Sequence, residues 1–127
     1  MHEITTSNAP ESLGPYSQGI ETETLVFVSG QGARSPETND IVSDDVREQT
    51  EQVMENVSAV LTAADSSLGQ IVKATVFLTD MDDYEAVNEV YGRYVGEPAP
   101  ARSAVAVSEL PTDICVEIEV IAEKGSE

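Results

Sequence analysis

The chain has 127 residues, enough for one domain and too few for a second. Its 24 Asp and Glu stand against 6 Lys and Arg, for a formal net charge of −18, and that balance excludes a nucleic-acid partner, whose phosphates need Lys and Arg to neutralise them. No apolar stretch approaches the roughly 20 residues that span a bilayer, and no basic segment followed by an apolar one opens the chain, so the expectation is a single cytoplasmic domain over residues 1–127 with no membrane partner.

Composition this acidic can signal disorder, but 40% of the residues are hydrophobic and the acids are interleaved with periodic apolar positions, which points to a folded core. The better reading is a solvated acidic surface suited to concentrated salt and a halophilic source. At about 1 M salt the Debye length is roughly 3 Å and the carboxylates repel one another weakly. The lone cysteine, Cys115, has no internal disulfide partner, in keeping with a reducing compartment.

In chain order, His2 to Thr6 reads as a short strand ended by Asn8-Ala9-Pro10. Tyr16 to Glu21 and Leu25 to Ser29 form a hairpin, the second arm a continuous apolar run. Gly30 and Gly32 break that pattern, and Arg34 to Ile41 is a polar loop. Ser43 is the candidate N-cap of a helix whose first acids, Asp44 and Asp45, meet the positive end of its dipole. Val46, Thr50, Val53, Val57, Val60, Leu61 and Ala64 recur at spacings of three and four along it.

Ile71 to Leu78 reads as a strand with Val72, Ala74, Val76 and Leu78 on one face and Ile71, Lys73, Thr75 and Phe77 on the other. Thr79 or Asp80 caps a second helix whose inward stripe is Tyr84, Val87, Tyr91 and Tyr94, and Pro98 and Pro100 stop it. Two strands follow, Arg102 to Val107 and Ile114 to Glu123, with a turn near Pro111. The order is ββαβαββ, an α+β layer with both helices on one face of the sheet. Ile71, Phe77, Cys115 and Ile121 are then left on the opposite face, which predicts self-association through it.

Several chemistries fall away. One His and one Cys cannot build a soft metal site, and no phosphate-binding glycine loop, calcium loop or G-x-S-x-G elbow is present. Glu117 and Glu119 share a strand face, but in so acidic a chain two same-face acids carry no signal of their own. Lys73, alone on its strand, reads as structural. Arg102 stands out, because it opens a strand of small apolar residues (Ser103, Ala104, Val105, Ala106, Val107). A guanidinium in such a place either binds a planar anion or forms a structural salt bridge.

Asn8-Ala9-Pro10, Gly14-Pro15-Tyr16-Ser17-Gln18-Gly19, Phe27-Val28-Ser29-Gly30-Gln31, the run Ile71 to Met81, Asn88-Glu89-Val90-Tyr91, Pro100-Ala101-Arg102-Ser103 and Val116-Glu117-Ile118-Glu119 together resemble the motifs of the Rid (YjgF) family, in that family's order and over nearly the whole chain. The resemblance implies a chorismate-mutase-like (YjgF-like) fold in a homotrimer with active sites between subunits. It also implies cofactor-free, metal-free hydrolysis of 2-aminoacrylate and related 2-imino acids to 2-keto acids and ammonia. Arg102 matches the family's carboxylate-binding arginine and Glu117 its water-orienting acid. Tyr16, Ser29 and Asn88 match other pocket residues, with Gly30 and the backbone of Ala104 lining the pocket.

The chain departs from the common pattern at Ala104, where many members carry Cys or Thr, at Ala106, where Glu is frequent, and in the Glu21-Thr22-Glu23-Thr24 turn, which lacks the usual glycine. A non-catalytic metabolite-binding or regulatory trimer is the alternative within the family. Ribonuclease or translation-inhibitor activity, also attached to it, fits poorly with 6 basic residues. From the charge alone, the thermal midpoint is expected to rise from dilute buffer to molar KCl; equal midpoints in the two would rule out an acidic surface tuned to salt.

Overall fold

The apolar periodicities become six strands and two helices in a computed structural model that describes residues 1–125. The strands are β1 (His2–Ile4), β2 (Gly19–Glu21), β3 (Leu25–Gln31), β4 (Ile71–Leu78), β5 (Ala101–Ala106) and β6 (Val116–Glu123). The helices are α1 (Val46–Ala63) and α2 (Tyr84–Tyr94). One mixed sheet takes the order β1-β2-β3-β6-β4-β5. Neighbours are antiparallel except β4 and β5, which run parallel with α2 as their crossover. The ββαβαββ order therefore holds, and the N-terminal strand adds a sixth strand on the outside of β2. No helix among the described residues is long and apolar enough to cross a membrane.

The core lies between the sheet and the helices. Val116, Ile118, Val120 and Ala122 of β6, with Val26, Val28, Ala74, Val76 and Leu78 beside them, are buried beneath Val53, Val57, Val60 and Leu61 of α1 and Val87 of α2. Each valine, leucine or isoleucine among them contributes about 1.5–3 kcal/mol by leaving water. The buried stripe of α1 is wider than its strict periodicity, because Met54, Gln49 and Asn56 are also enclosed. The two amides are compatible with burial because they are hydrogen-bonded. Gln49 Oε1 accepts from the Cys115 amide at 2.9 Å, and Asn56 Nδ2 donates to the carbonyls of Gly32 and Arg34 at 3.1 and 2.9 Å.

Local geometry corrects several sequence expectations. Asp45, not Ser43, caps α1: its Oδ1 accepts from the amides of Arg47 and Glu48. Ser43 supports the cap by accepting from the Asp45 amide and donating to Glu48. Asp80 caps a 3₁₀ turn, Met81–Asp83, that leads into α2. The β4–β6 register shifts between Ile71 and Lys73. That irregularity turns Ile71 into the core, 7% exposed, and leaves Val72 outside at 42%, the reverse of simple alternation. Tyr84 likewise leaves the inward stripe, 36% exposed. The last two strands begin at Ala101 and Val116.

Tyr16 to Gln18 are not strand, because a buried side chain ties them into a loop. Gln18 Nε2 donates to the carbonyls of Thr6, Ala9 and Pro10, and its Oε1 accepts from the Thr6 amide at 2.7 Å. One amide thereby stitches the N-terminal segment to the start of β2. On the sheet's open face Phe27, Val105, Phe77 and Ile121 remain exposed or half-buried. Ile71, expected there, belongs to the core.

Candidate active site

Strand β5 sets Arg102 opposite Ala74 and Ala104 opposite Val76. Ala74 and Val76 are core residues, so Arg102 and Ala104 project to the helix side of the sheet. There the guanidinium carbon lies 4.9 Å from the ring centre of Tyr91 and 5.5 Å from that of Tyr84, within cation–π range. Arg102 Nη2 also donates to the Tyr84 hydroxyl at 3.0 Å. Asn88 lies four residues after Tyr84 and three before Tyr91, so helical spacing puts it on the same α2 surface. Burial pushes the Tyr91 phenol up, and the Arg102 charge opposes that shift. The ion pairs among the described residues use Arg47, Arg93 and Lys124. The structural salt bridge that could have explained Arg102 is therefore not made among them.

Glu117 stands on β6 opposite Phe77 and alternates with core Val116 and Ile118, so it faces the open side. Its carboxyl lies directly over Gly30, where a Cβ would come within 2.7 Å of Glu117 Cδ. Burial first, and then the like charge of Glu119, raise the Glu117 pKa above the ordinary carboxylate value. Ser29 and Gly30 occupy the break in the β3–β6 ladder between Val28 and Gln31, the kind of irregularity that re-aims groups at a site. Ser29 Oγ donates to the Ser17 carbonyl at 2.5 Å, and its amide donates to the Gln18 carbonyl at 3.0 Å. A groove of about 380 Å³ alongside is lined by Tyr16, Ser29, Lys73, Thr75 and Glu119, among others.

The candidate residues therefore fall into two groups. Tyr16, Ser29, Gly30 and Glu117 gather on the open side, Arg102, Ala104 and Asn88 on the helix side, and the sheet separates them. Gln18, Tyr84 and Tyr91 also shape these two groups, and the sequence reading gives none of them a site role. Gln18 lies within the Gly14 to Gly19 motif, and the periodicity of α2 places Tyr84 and Tyr91 on its core stripe. The spacing of Tyr84, Asn88 and Tyr91 on one helix face was the available signal. A larger hollow, about 730 Å³, lies near the end of α1 beside Thr62, Asp65, Ser66 and Gln70 and includes none of these residues.

Two helices on one face of a mixed six-stranded sheet, with an arginine opening its parallel edge strand and a glutamate on its uncovered face, define an α+β protein of the YjgF type. The chain belongs to the Rid (YjgF) family, with residues 6–124 matching the family described as Endoribonuclease L-PSP. A RutC family protein of Pyrococcus horikoshii is 50% identical over 121 residues, covering 95% of this chain and 96% of its own. Reactive Intermediate Deaminase A, chloroplastic, of Arabidopsis thaliana is 44% identical over 119 residues, covering 94% of this chain and 64% of its own. The crystal structure of Escherichia coli TdcF with bound serine superposes with a TM-score of 0.93 at 41% identity, covering 98% of this chain and all of that one.

The contact between Gly30 and Glu117 can be tested without reference to activity. Gly30→Ala is expected to fold, with stability changed by about 1 kcal/mol or less, because the obstructing atoms are the mobile end of a side chain. The carboxyl would be driven toward solvent, and a carbon-detected titration should find the Glu117 pKa lowered toward its ordinary value. A titration unchanged from wild type would show that the carboxyl does not occupy that position.

Proposed function

We propose that the protein is a cofactor-free deaminase that hydrolyses 2-aminoacrylate and related 2-imino acids to 2-keto acids and ammonia, working as a homotrimer with its sites between subunits. The observation that carries this reading is Arg102: in a chain with 24 acids, its guanidinium is held by two tyrosines and makes no ion pair among the described residues. Its planar fork matches a substrate carboxylate, a charge-assisted contact worth roughly 1.5–3 kcal/mol. The two groups favour assembly, since Arg102, Asn88 and the Ala104 backbone of one subunit would complete Tyr16, Ser29, Gly30 and Glu117 of its neighbour. A relative that crystallised with serine supports the substrate class, because serine carries the same α-carboxylate and α-nitrogen as a 2-imino acid.

In the reaction the enamine takes a proton at carbon to become the imine, and water adds to the imine carbon. The resulting tetrahedral adduct expels ammonia and leaves the keto acid. Arg102 holds the carboxylate, so the imine carbon is presented at a fixed place. Glu117 orients the water, takes its proton and passes it to the nitrogen that leaves as ammonia, a task suited to a carboxyl whose pKa lies above the ordinary value. No metal or cofactor is needed in this scheme. The family description names an endoribonuclease, but a net charge of −18 repels the phosphates of RNA.

The test is 2-keto acid formation from 2-aminoacrylate, generated in situ by a salt-tolerant serine dehydratase in concentrated KCl. Wild type should exceed spontaneous hydrolysis, and Arg102→Ala should abolish the gain while keeping the assembly and its thermal midpoint. A folded, assembled wild type with no gain over the spontaneous rate would instead favour a metabolite-binding or regulatory protein.

The pH profile supplies a second check. The ionised Glu117 is the working form, so activity falls as pH drops through its raised pKa, and the acid limb lies above the range of an ordinary carboxyl. Glu119→Gln removes the like charge that helps raise it and should move that limb to lower pH. A limb unmoved by Glu119→Gln would mean that another group governs it.

A further inference from the structure

Three basic side chains make no ion pair among the described residues: Arg34, which donates to Asn39 and the Glu11 carbonyl, Lys73, which donates to Ser103, and Arg102, which alone rests on aromatic rings. Arg47, Arg93 and Lys124 each reach a glutamate, whereas the guanidinium of Arg102 lies against the rings of Tyr84 and Tyr91 and gives its Nη2 proton to the Tyr84 hydroxyl at 3.0 Å. The two tyrosines differ in kind. Tyr91 is buried, 6% exposed, and serves as a fixed floor, while Tyr84, 36% exposed, stands at the rim of the helix with its hydroxyl against the arginine. A carboxylate in the place of Tyr84 would hold the guanidinium equally well, but it would satisfy the fork and cancel its charge. A phenol oxygen accepts one hydrogen bond and leaves both the charge and the rest of the fork available. The phenol also keeps its own proton, which a carboxylate bound to the arginine can accept.

We propose that Tyr84 is the positioning residue of the anion site: with Tyr91 as floor, its hydroxyl orients the Arg102 fork toward a 2-imino acid carboxylate while keeping it unpaired. This rests on the deaminase reading above. The role is one of binding, so it acts on substrate capture and leaves the chemistry at the imine carbon untouched. The cation–π contacts also suit concentrated salt, because a guanidinium stacked on a ring is shielded on that side from competing ions.

The experiment compares wild type with Tyr84→Phe, which keeps the ring and removes the hydroxyl, and Tyr84→Leu, which removes both. KM and kcat are measured for 2-iminobutanoate generated in situ by an amino-acid oxidase, alongside thermal midpoints and assembly state. Tyr84→Phe should raise KM about three- to ten-fold with kcat within about two-fold of wild type, and Tyr84→Leu should raise KM by about a further two- to five-fold. Tyr84 is partly exposed, so both variants should fold and assemble as wild type does. An active wild type whose KM is unchanged in both variants overturns the role of Tyr84 alone, and so does a fall in kcat at constant KM. An inactive wild type overturns the deaminase reading, and the role of Tyr84 goes with it.

Discussion

The period-two alternation of β6 is the constraint on which the rest of the structure depends. This strand lies between β3 and β4 at the centre of the sheet, and its residues must point alternately to the two faces. Val116, Ile118, Val120 and Ala122 build the core beneath both helices, so Glu117 and Glu119 are necessarily delivered to the open face. A one-residue slip of β6 would bury both carboxylates and expose the core. The buried register thus fixes where the acid stands, and the neighbouring strand completes the setting with a glycine beneath the carboxyl and a ladder break beside it.

The same geometry divides the chemistry. Adjacent partners in a ladder share a face, so Arg102 beside Ala74 goes to the helix side while Glu117 beside Phe77 goes to the other. A chain in which the two groups met within one protomer would need one of them at a core position on the wrong face. Placing them on opposite faces lets each strand satisfy its core first. The open face still carries Phe27, Phe77, Val105 and Ile121, apolar surface that neither helix covers.

Electrostatics follow a comparable division. Arg47, Arg93 and Lys124 sit in partly exposed ion pairs, each worth little in strong salt. Arg102 is excluded from that network by its strand position and by the tyrosines of α2. In a chain with four acids for every base, Arg34 and Lys73 also make no ion pair among the described residues, and like Arg102 each donates to neutral partners.

Much of this was legible in the sequence. The apolar spacing from Val46 to Leu61 located α1, the run Ile71 to Leu78 was β4 to the residue, and the Arg102 and Glu117 motifs carried the family. These features are local: periodicity, turn residues and short motifs depend on neighbours within a few positions. What the tertiary structure alone decided involves partners far apart in sequence. The register shift that turned Ile71 inward depends on β6. The loop that removed Tyr16 to Gln18 from a strand depends on carbonyls eight to twelve residues away. The raised Glu117 pKa depends on burial as well as Glu119. The hold of Tyr84 and Tyr91 on Arg102 depends on how α2 crosses back to β5. The sequence by itself determined which residue types were available and their local periods. Only the packing of the helices against the sheet decided which of them face one another, because facing is a property of register and crossover, which no local pattern specifies.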